Sequence, residues 1–205
     1  MASIELKNIS KKFEKVTILE NINFTFREGI TYLIKGKSGE GKTTLLNILA
    51  GYIKPDSGSI IFDKSPKIAY FFQDEMLFSN LTVSENLFIK YCTLEKGIED
   101  FEIIMEQILV RVGILSLKDR KIAMLSGGER QRVQLASILF SDPDILLFDE
   151  PTSKLDDKNK EAIVATIVDV FKGKTLIIVS HDNNDFGNNC VKLRLDNGVL
   201  DYEAV

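Results

Sequence analysis

Residues 36–43 read GKSGEGKT, an instance of G-x-x-x-x-G-K-[ST], and few eight-residue stretches restrict a fold as tightly. The pattern works where a strand runs into a helix, because it must aim backbone N–H groups and a helix N-terminus at an anion. Both flanks supply that context. Residues 30–35 (ITYLIK) are strand-forming, and a helix is expected from about Lys42 to Ala50, with Gly51 as its left-handed terminator. Gly36, Gly39 and Gly41 let the chain turn tightly between the two, and Lys37, Ser38, Glu40 and Thr44 complete the loop around the anion. Lys42 is placed to reach β- and γ-phosphates, and the Thr43 hydroxyl to ligate Mg²⁺. Glu40 is an unusual occupant: turned inward, its carboxylate would oppose the phosphates, whereas facing outward it costs little.

The rest of the chain alternates strands and helices around this loop. Ile22, Phe24 and Phe26 alternate with polar residues, as in a half-buried strand. KPDSG (54–58) is a turn by composition, and the short strands SIIF and IAYFF (68–72) follow it. From Asp74 to Leu125 the pattern turns helical, with Ile104, Ile108, Leu109 and Val112 at helical spacing before Gly113. Beyond it come a strand ILLF (145–148), a helix over 156–171 capped by Asp156, and a strand LIIV (176–179). Neither apolar run alternates, as expected for parallel strands covered on both faces. Asn197-Gly198 between 191–195 and 199–202 predicts a type I′ hairpin. The expected architecture is one α/β domain over 1–205 carrying a helical lobe at about 74–125.

ILLFDE (145–150) ends its strand on two carboxylates. Beside a phosphate loop, Asp149 is placed to hold the hydration shell of Mg²⁺, and Glu150 to polarise an attacking water as general base. Other chemistries are poorly served by this chain. Two cysteines, Cys92 and Cys190, and a single histidine cannot assemble a zinc site, and the cysteines read as buried reduced thiols. With 26 basic against 30 acidic residues and no long Lys or Arg block, nucleic acid is not an expected partner. Lys11, Lys12 and Lys15 read as a solvated edge. The apolar runs are too short to cross a bilayer, and the charged first 30 residues lack a signal-peptide core.

LSGGERQRV (125–133) adds the most specific signal. Ser126 and Glu129 form a capping-box pattern, which by itself needs no glycines. Gly127 and Gly128 let an anion approach the helix N-terminus closely. With this stretch the chain resembles the ATP-binding cassette family, whose signature is LSGGQ, with Glu129 where Gln is most frequent. The resemblance runs the length of the chain. Gln73 matches the Q-loop glutamine that touches Mg²⁺ or the lytic water, Ser153-Lys154-Leu155-Asp156 the D-loop, and His181 the switch histidine at the γ-phosphate. Phe13 resembles the aromatic residue that stacks on adenine. ASILF (136–140) departs from the frequent ARAL segment and removes a basic residue from the signature helix.

The resemblance implies a P-loop NTPase fold with a mostly parallel core sheet, an antiparallel β subdomain and an inserted helical subdomain. It implies ATP and Mg²⁺ as cofactors, and a head-to-tail dimer sandwiching ATP between one phosphate loop and the other chain's Ser126, Gly127 and Gly128. It further implies a transmembrane permease as partner, with the chain cytoplasmic and peripheral on the inner membrane face. Compact stand-alone cassettes of lipoprotein-release, macrolide-efflux and bacteriocin-export transporters are the most similar type. A scaffold role, as in iron–sulfur cluster assembly, or that of a ribosome-associated factor would use the same core motifs. A nucleotide kinase would leave LSGGERQRV and His181 unexplained. The run 71–88 (FFQDEMLFSNLTVSENLF), with Phe71, Phe72, Met76, Leu77, Phe78, Leu81, Leu87 and Phe88, is the expected docking surface for the permease, each residue having as its alternative a place in the contact that joins the helical lobe to the sheet.

Overall fold

The computed structural model describes residues 3–94, 97–181, 186–187 and 189–203. Two sheets organise the chain. Strands β1 (Ile4–Phe13), β2 (Val16–Phe26) and β4 (Ser57–Phe62) form an antiparallel sheet in the order β2-β1-β4. The second sheet holds β3 (Thr31–Lys35), β5 (Ile68–Phe71), β6 (Ile145–Asp149), β7 (Thr175–Val179), β8 (Cys190–Asp196) and β9 (Val199–Tyr202). Its order is β5-β6-β7-β3-β8-β9, and every ladder is parallel except β8 with β9.

Every residue of β6 and β7 is buried, which is why neither sequence alternates. Their side chains feed two separate cores. Ile145, Leu147, Ile177 and Val179 pack with helix α1 (Lys42–Leu49) and the antiparallel sheet. Leu146, Phe148, Leu176 and Ile178 pack on the opposite face. There they meet α2 (Val83–Cys92), α3 (Phe101–Arg111), α4 (Gly127–Leu139) and α5 (Asp157–Val170). At roughly 1.5–3 kcal/mol per buried Leu, Ile, Val or Phe, this two-sided burial holds the strand ends, and the residues they carry, in fixed positions.

The helices start and stop where their sequences say. Thr82 with Glu85, and Ser126 with Glu129, close complete capping boxes, while the Asp156 side chain accepts the Asn159 N–H at 3.0 Å. Gly51 and Gly113, just past α1 and α3, have φ of 76° and 73°. Asn197 and Gly198 both have positive φ, at 48° and 81°, as a type I′ turn requires. Between 74 and 125 the described residues contain no strand, only helices, 3₁₀ turns and one isolated bridge from Thr82 to Lys121.

Three features depart from the sequence reading. β1 is a full ten-residue strand, hidden because register shifts between Leu6, Ile9, Lys11 and Lys12 break its alternation. β2 begins at Val16, six residues before the alternating stretch. Cys92 is exposed at the end of α2 and Cys190 half-buried in β8, rather than both being buried, and neither is in a disulfide.

Candidate functional site

Strand β3 delivers the chain into the loop 36–41, and the loop's shape depends on the absence of side chains at two points. Gly41 sits at φ 95° as the N-cap of α1, and a methyl there would lie 2.6 Å from Ile18 Cγ2. At Gly36 a methyl would lie 2.5 Å from the Leu195 carbonyl oxygen. The Ile18 side chain of β2 and the β8 backbone therefore press the loop from both sides, and only glycine fits.

Beside the loop lies a pocket of about 480 Å³. Ser38, Gly39, Gly41, Lys42, Thr43 and Thr44 form one side, Phe13 and Ile18 a second, and Gln73, Glu150, Ser153, Lys160 and His181 the remainder. Lys42 is buried, and its Nζ donates to the carbonyls of Gly36 at 2.8 Å and Lys37 at 3.0 Å, 3.2 Å from His181 Nε2. Burial pushes the Lys42 ammonium below the usual lysine range, against the opposing pull of Glu150, Glu40 and Asp149. Thr43 Oγ1 donates to Asp149 Oδ1 at 3.1 Å, and the Tyr70 hydroxyl donates to Oδ2 at 3.2 Å.

Glu150 stands next along the chain at φ 50°, a left-handed conformation that non-glycine residues adopt at a cost. Its Oε2 accepts the His181 backbone N–H at 3.2 Å. Its Oε1 is buried, lies 3.2 Å from His181 Nε2 without hydrogen-bond geometry, and accepts no hydrogen bond. Burial raises both acids, Asp149 and Glu150, above the usual carboxylate range.

Most of the residues singled out from the sequence converge here, Phe13 among them; Gly36 and Asp149 stand just behind the lining, and two further groups lie off it. Glu40 and Lys37 do not line the pocket: the Glu40 carboxylate turns back to accept the Lys37 N–H at 2.6 Å, away from where an anion would lie. Phe13 lines the pocket at 45% exposure, with the Lys11 ammonium 5.5 Å from its ring centroid. Ser126, Gly127 and Gly128 lie outside the pocket altogether. They form the N-terminus of α4, where the Ser126 hydroxyl donates to Glu129 Oε2 at 2.9 Å and a Gly128 methyl would crowd Asn159 at 3.2 Å. Glu129 is thus the reciprocal half of the capping box.

Two ion pairs tie the segment after Gln73 to its surroundings. Asp74 meets Lys154 at 2.7 Å, and Glu75 meets Arg130 of α4 at 2.7 Å. Sequence reasoning missed Ile18, Lys160 and Tyr70. Ile18 and Lys160 belong to no motif, and Tyr70 is two residues inside an apolar strand that reads as core.

The donors fit a hard divalent cation. A hydroxyl and a carboxylate converge at Thr43 and Asp149, and no cluster of three His, Cys, Asp or Glu side chains exists among the described residues. Such a site suits Mg²⁺, which takes one or two protein oxygens and completes its shell with water and substrate phosphates.

Comparison with known proteins agrees with this geometry. The ABC transporter family profile matches residues 19–153. The lipoprotein-releasing system ATP-binding protein LolD of Buchnera aphidicola subsp. Schizaphis graminum is 34% identical over 211 residues, covering 95% of this chain and 92% of that protein. The spermidine/putrescine import ATP-binding protein PotA of Spiroplasma citri is 35% identical over 193 residues, covering 89% of this chain. This chain spans only 55% of PotA's length, and 58% of that of the glucose import ATP-binding protein GlcV of Saccharolobus solfataricus. Among solved structures, the dimeric post-hydrolysis state of the ATP-binding cassette MJ0796 bound to ADP and Pi superposes with a TM-score of 0.80 at 30% identity, covering 97% of this chain and 98% of that one. The structure of cbiO1 from Clostridium perfringens, part of the ABC transporter complex cbiONQ, superposes with a TM-score of 0.86 at 27% identity, covering 96% and 86%. A profile that spans more than half of the chain, and a relative alike almost from end to end, settle the membership: this protein belongs to the ABC transporter family, as one of its ATP-binding cassettes.

Proposed function

We propose that the chain binds ATP with Mg²⁺, hydrolyses it, and closes with a second cassette to drive a separate membrane permease. The carrying observation is Glu150: a buried carboxylate whose Oε1 accepts no hydrogen bond, set one residue after Asp149 at the edge of the pocket. A buried acceptor without a hydrogen bond is costly unless something arrives to supply one, and the nucleophilic water is that partner. Phe13 stacks on the adenine, and the loop amides of 38–44 cradle the phosphates. Lys42 exchanges its two carbonyl partners for β- and γ-phosphate oxygens. Thr43 and Asp149, with Gln73 from the pocket lining, would hold Mg²⁺, which when bound would neutralise charge developing on the phosphates. Glu150 Oε1 takes the proton of the water as its oxygen bonds to the γ-phosphorus and the bond to ADP breaks. His181, 3.2 Å from both Glu150 and Lys42, faces the γ-phosphate.

The signature lies on the other lobe, with Ser126 exposed and Gly127 partly exposed at the N-terminus of α4, and Gly128 buried beside them. An ATP in the pocket reaches such a surface only on a second copy, which supports head-to-tail pairing of the kind named for MJ0796. No helix of the described residues is long and apolar enough to cross a membrane. Association with the cytoplasmic membrane face through the permease is part of the same proposal. Within 71–88, Phe71 and Leu87 are core residues and cannot dock anything. Met76 at 72%, Phe78 at 58% and Phe88 at 37% exposure remain as the docking surface. Phe88 lies on a mostly apolar groove of about 550 Å³ shared with Leu81, Ile89 and Phe101.

Glu150→Gln tests the reading. Nucleotide binding is expected to survive while turnover falls about 10²–10⁴-fold, the usual cost of removing a general base. With Mg·ATP retained, gel filtration should show a shift from monomer to dimer. A variant that hydrolyses at the wild-type rate, or stays monomeric at saturating ATP, refutes the assignment.

A further inference from the structure

Asp149 is gripped on both oxygens. Thr43 donates to Oδ1 at 3.1 Å and the Tyr70 phenol donates to Oδ2 at 3.2 Å. Neither the phosphate-loop pattern nor the Asp-Glu pair calls for a phenol at that point. Strand register brings it there. Tyr70 pairs with Leu147 across the parallel β5–β6 ladder, so Asp149, two residues on, shares its face of the sheet. The ring itself is held by two others. Phe72 stacks on Tyr70 with centroids 4.4 Å apart and planes at 22°, and Tyr52 lies 5.7 Å from Tyr70 and 6.1 Å from Phe72. A phenol fixed by stacking from two separate elements defines where its hydroxyl stands, and so which way the Asp149 carboxylate is rotated.

We propose that Tyr70 is a positioning residue for the metal–nucleotide complex. Its hydroxyl holds Oδ2 of Asp149 so that the Oδ1 edge is presented to Thr43, and through it to the Mg²⁺ that accompanies ATP. Without the phenol the carboxylate swings about its own axis, and that freedom has to be given up each time the cation binds. Partners standing behind a metal-facing carboxylate typically account for about 10–100-fold in metal affinity. The proposal rests on the nucleotide-binding reading above, and it concerns the metal-dependent part of binding alone.

Tyr70→Phe keeps the ring and its stack and removes one oxygen. ATP binding is titrated for wild type and variant in three arms: with Mg²⁺, with Mn²⁺, and with EDTA. In EDTA the two proteins are expected to agree within about twofold. The tightening that either cation brings should fall about tenfold or more in the variant. Equal weakening in all three arms marks a purely structural role and overturns the proposal, as does an unchanged metal enhancement. If wild type binds no ATP in any arm, the nucleotide reading fails first and this one with it. Should Tyr70→Phe not fold, Tyr52→Ala decides: it strips the outer ring of the stack and leaves the hydroxyl. A smaller loss confined to the metal arms supports the proposal, and no change there refutes it.

Discussion

Lys42 has three neighbours and one task, and the two conflict until a nucleotide arrives. Its ammonium holds two loop carbonyls and its side chain belongs to neither hydrophobic core, so replacing it with Ala disturbs the loop and leaves both cores as they are. Lys42→Ala should therefore leave the circular dichroism and melting profile nearly intact while ATP titration detects no binding. Phe13→Ala should weaken ATP by about 1–3 kcal/mol, the range for a base stacked on an aromatic ring, and leave tripolyphosphate unaffected. Glu150→Gln carries a second consequence, for stability. Burial raises the folded-state pKa of Glu150, so the folded protein holds its proton more tightly than the unfolded chain does. Stability therefore falls as pH rises through the window between the ordinary carboxylate value and that raised one. Removing the charge should lift the melting temperature at neutral pH and make no difference below about pH 4. Lys42, Thr43, Asp149 and Glu150 were legible in the sequence because each occupies a fixed offset in a pattern whose chemistry demands it. Tyr70 was not, because what matters about it is a neighbour across the ladder, and pairing register is invisible in one strand read alone.

At the scale of single elements, α4 states its own beginning. Ser126 and Glu129 exchange hydrogen bonds across the first turn, with the Ser126 N–H donating to Glu129 Oε2 at 2.7 Å. Ser126→Ala should cost about 0.5–2 kcal/mol in a denaturant melt, the usual loss for an N-cap. If the signature also serves a second cassette, the same variant should lose ATP-driven dimerisation well beyond what that destabilisation explains. Most elements were readable in this way: α1 and α3 from their glycine stops, α5 from Asp156, β6 and β7 from unbroken apolar runs. β1 was not. Its buried residues Ile4, Leu6 and Ile9 follow a bulged register, and a period of two interrupted at one point leaves too short a signal on either side.

The molecule as a whole separates what holds it together from what it offers to others, often within one stretch of chain. Phe78→Asp alters an exposed ring, and should abolish co-purification with a permease while leaving nucleotide affinity and melting temperature close to wild type. Phe88→Asp should also abolish co-purification with nucleotide affinity kept, but lowers the melting temperature by removing the ring contact with buried Phe101. Leu87→Ala, one residue away, empties a fully buried site and should instead destabilise by about 2–5 kcal/mol. Retained permease binding in both aspartate variants would place the docking face elsewhere. The sheet order has its own effect on how the chain is made. The antiparallel sheet has all of its strands by Phe62, whereas β3 must wait for its parallel neighbours, since Thr31 pairs with Leu176 and Cys190. A ribosome adding about 5–20 residues per second needs on the order of ten seconds to bridge that interval. During it Tyr32, Leu33 and Ile34 stand with both strand edges bare, an invitation to intermolecular pairing. The strand at the centre of the finished sheet is therefore the part of the nascent protein most dependent on shelter while translation is under way.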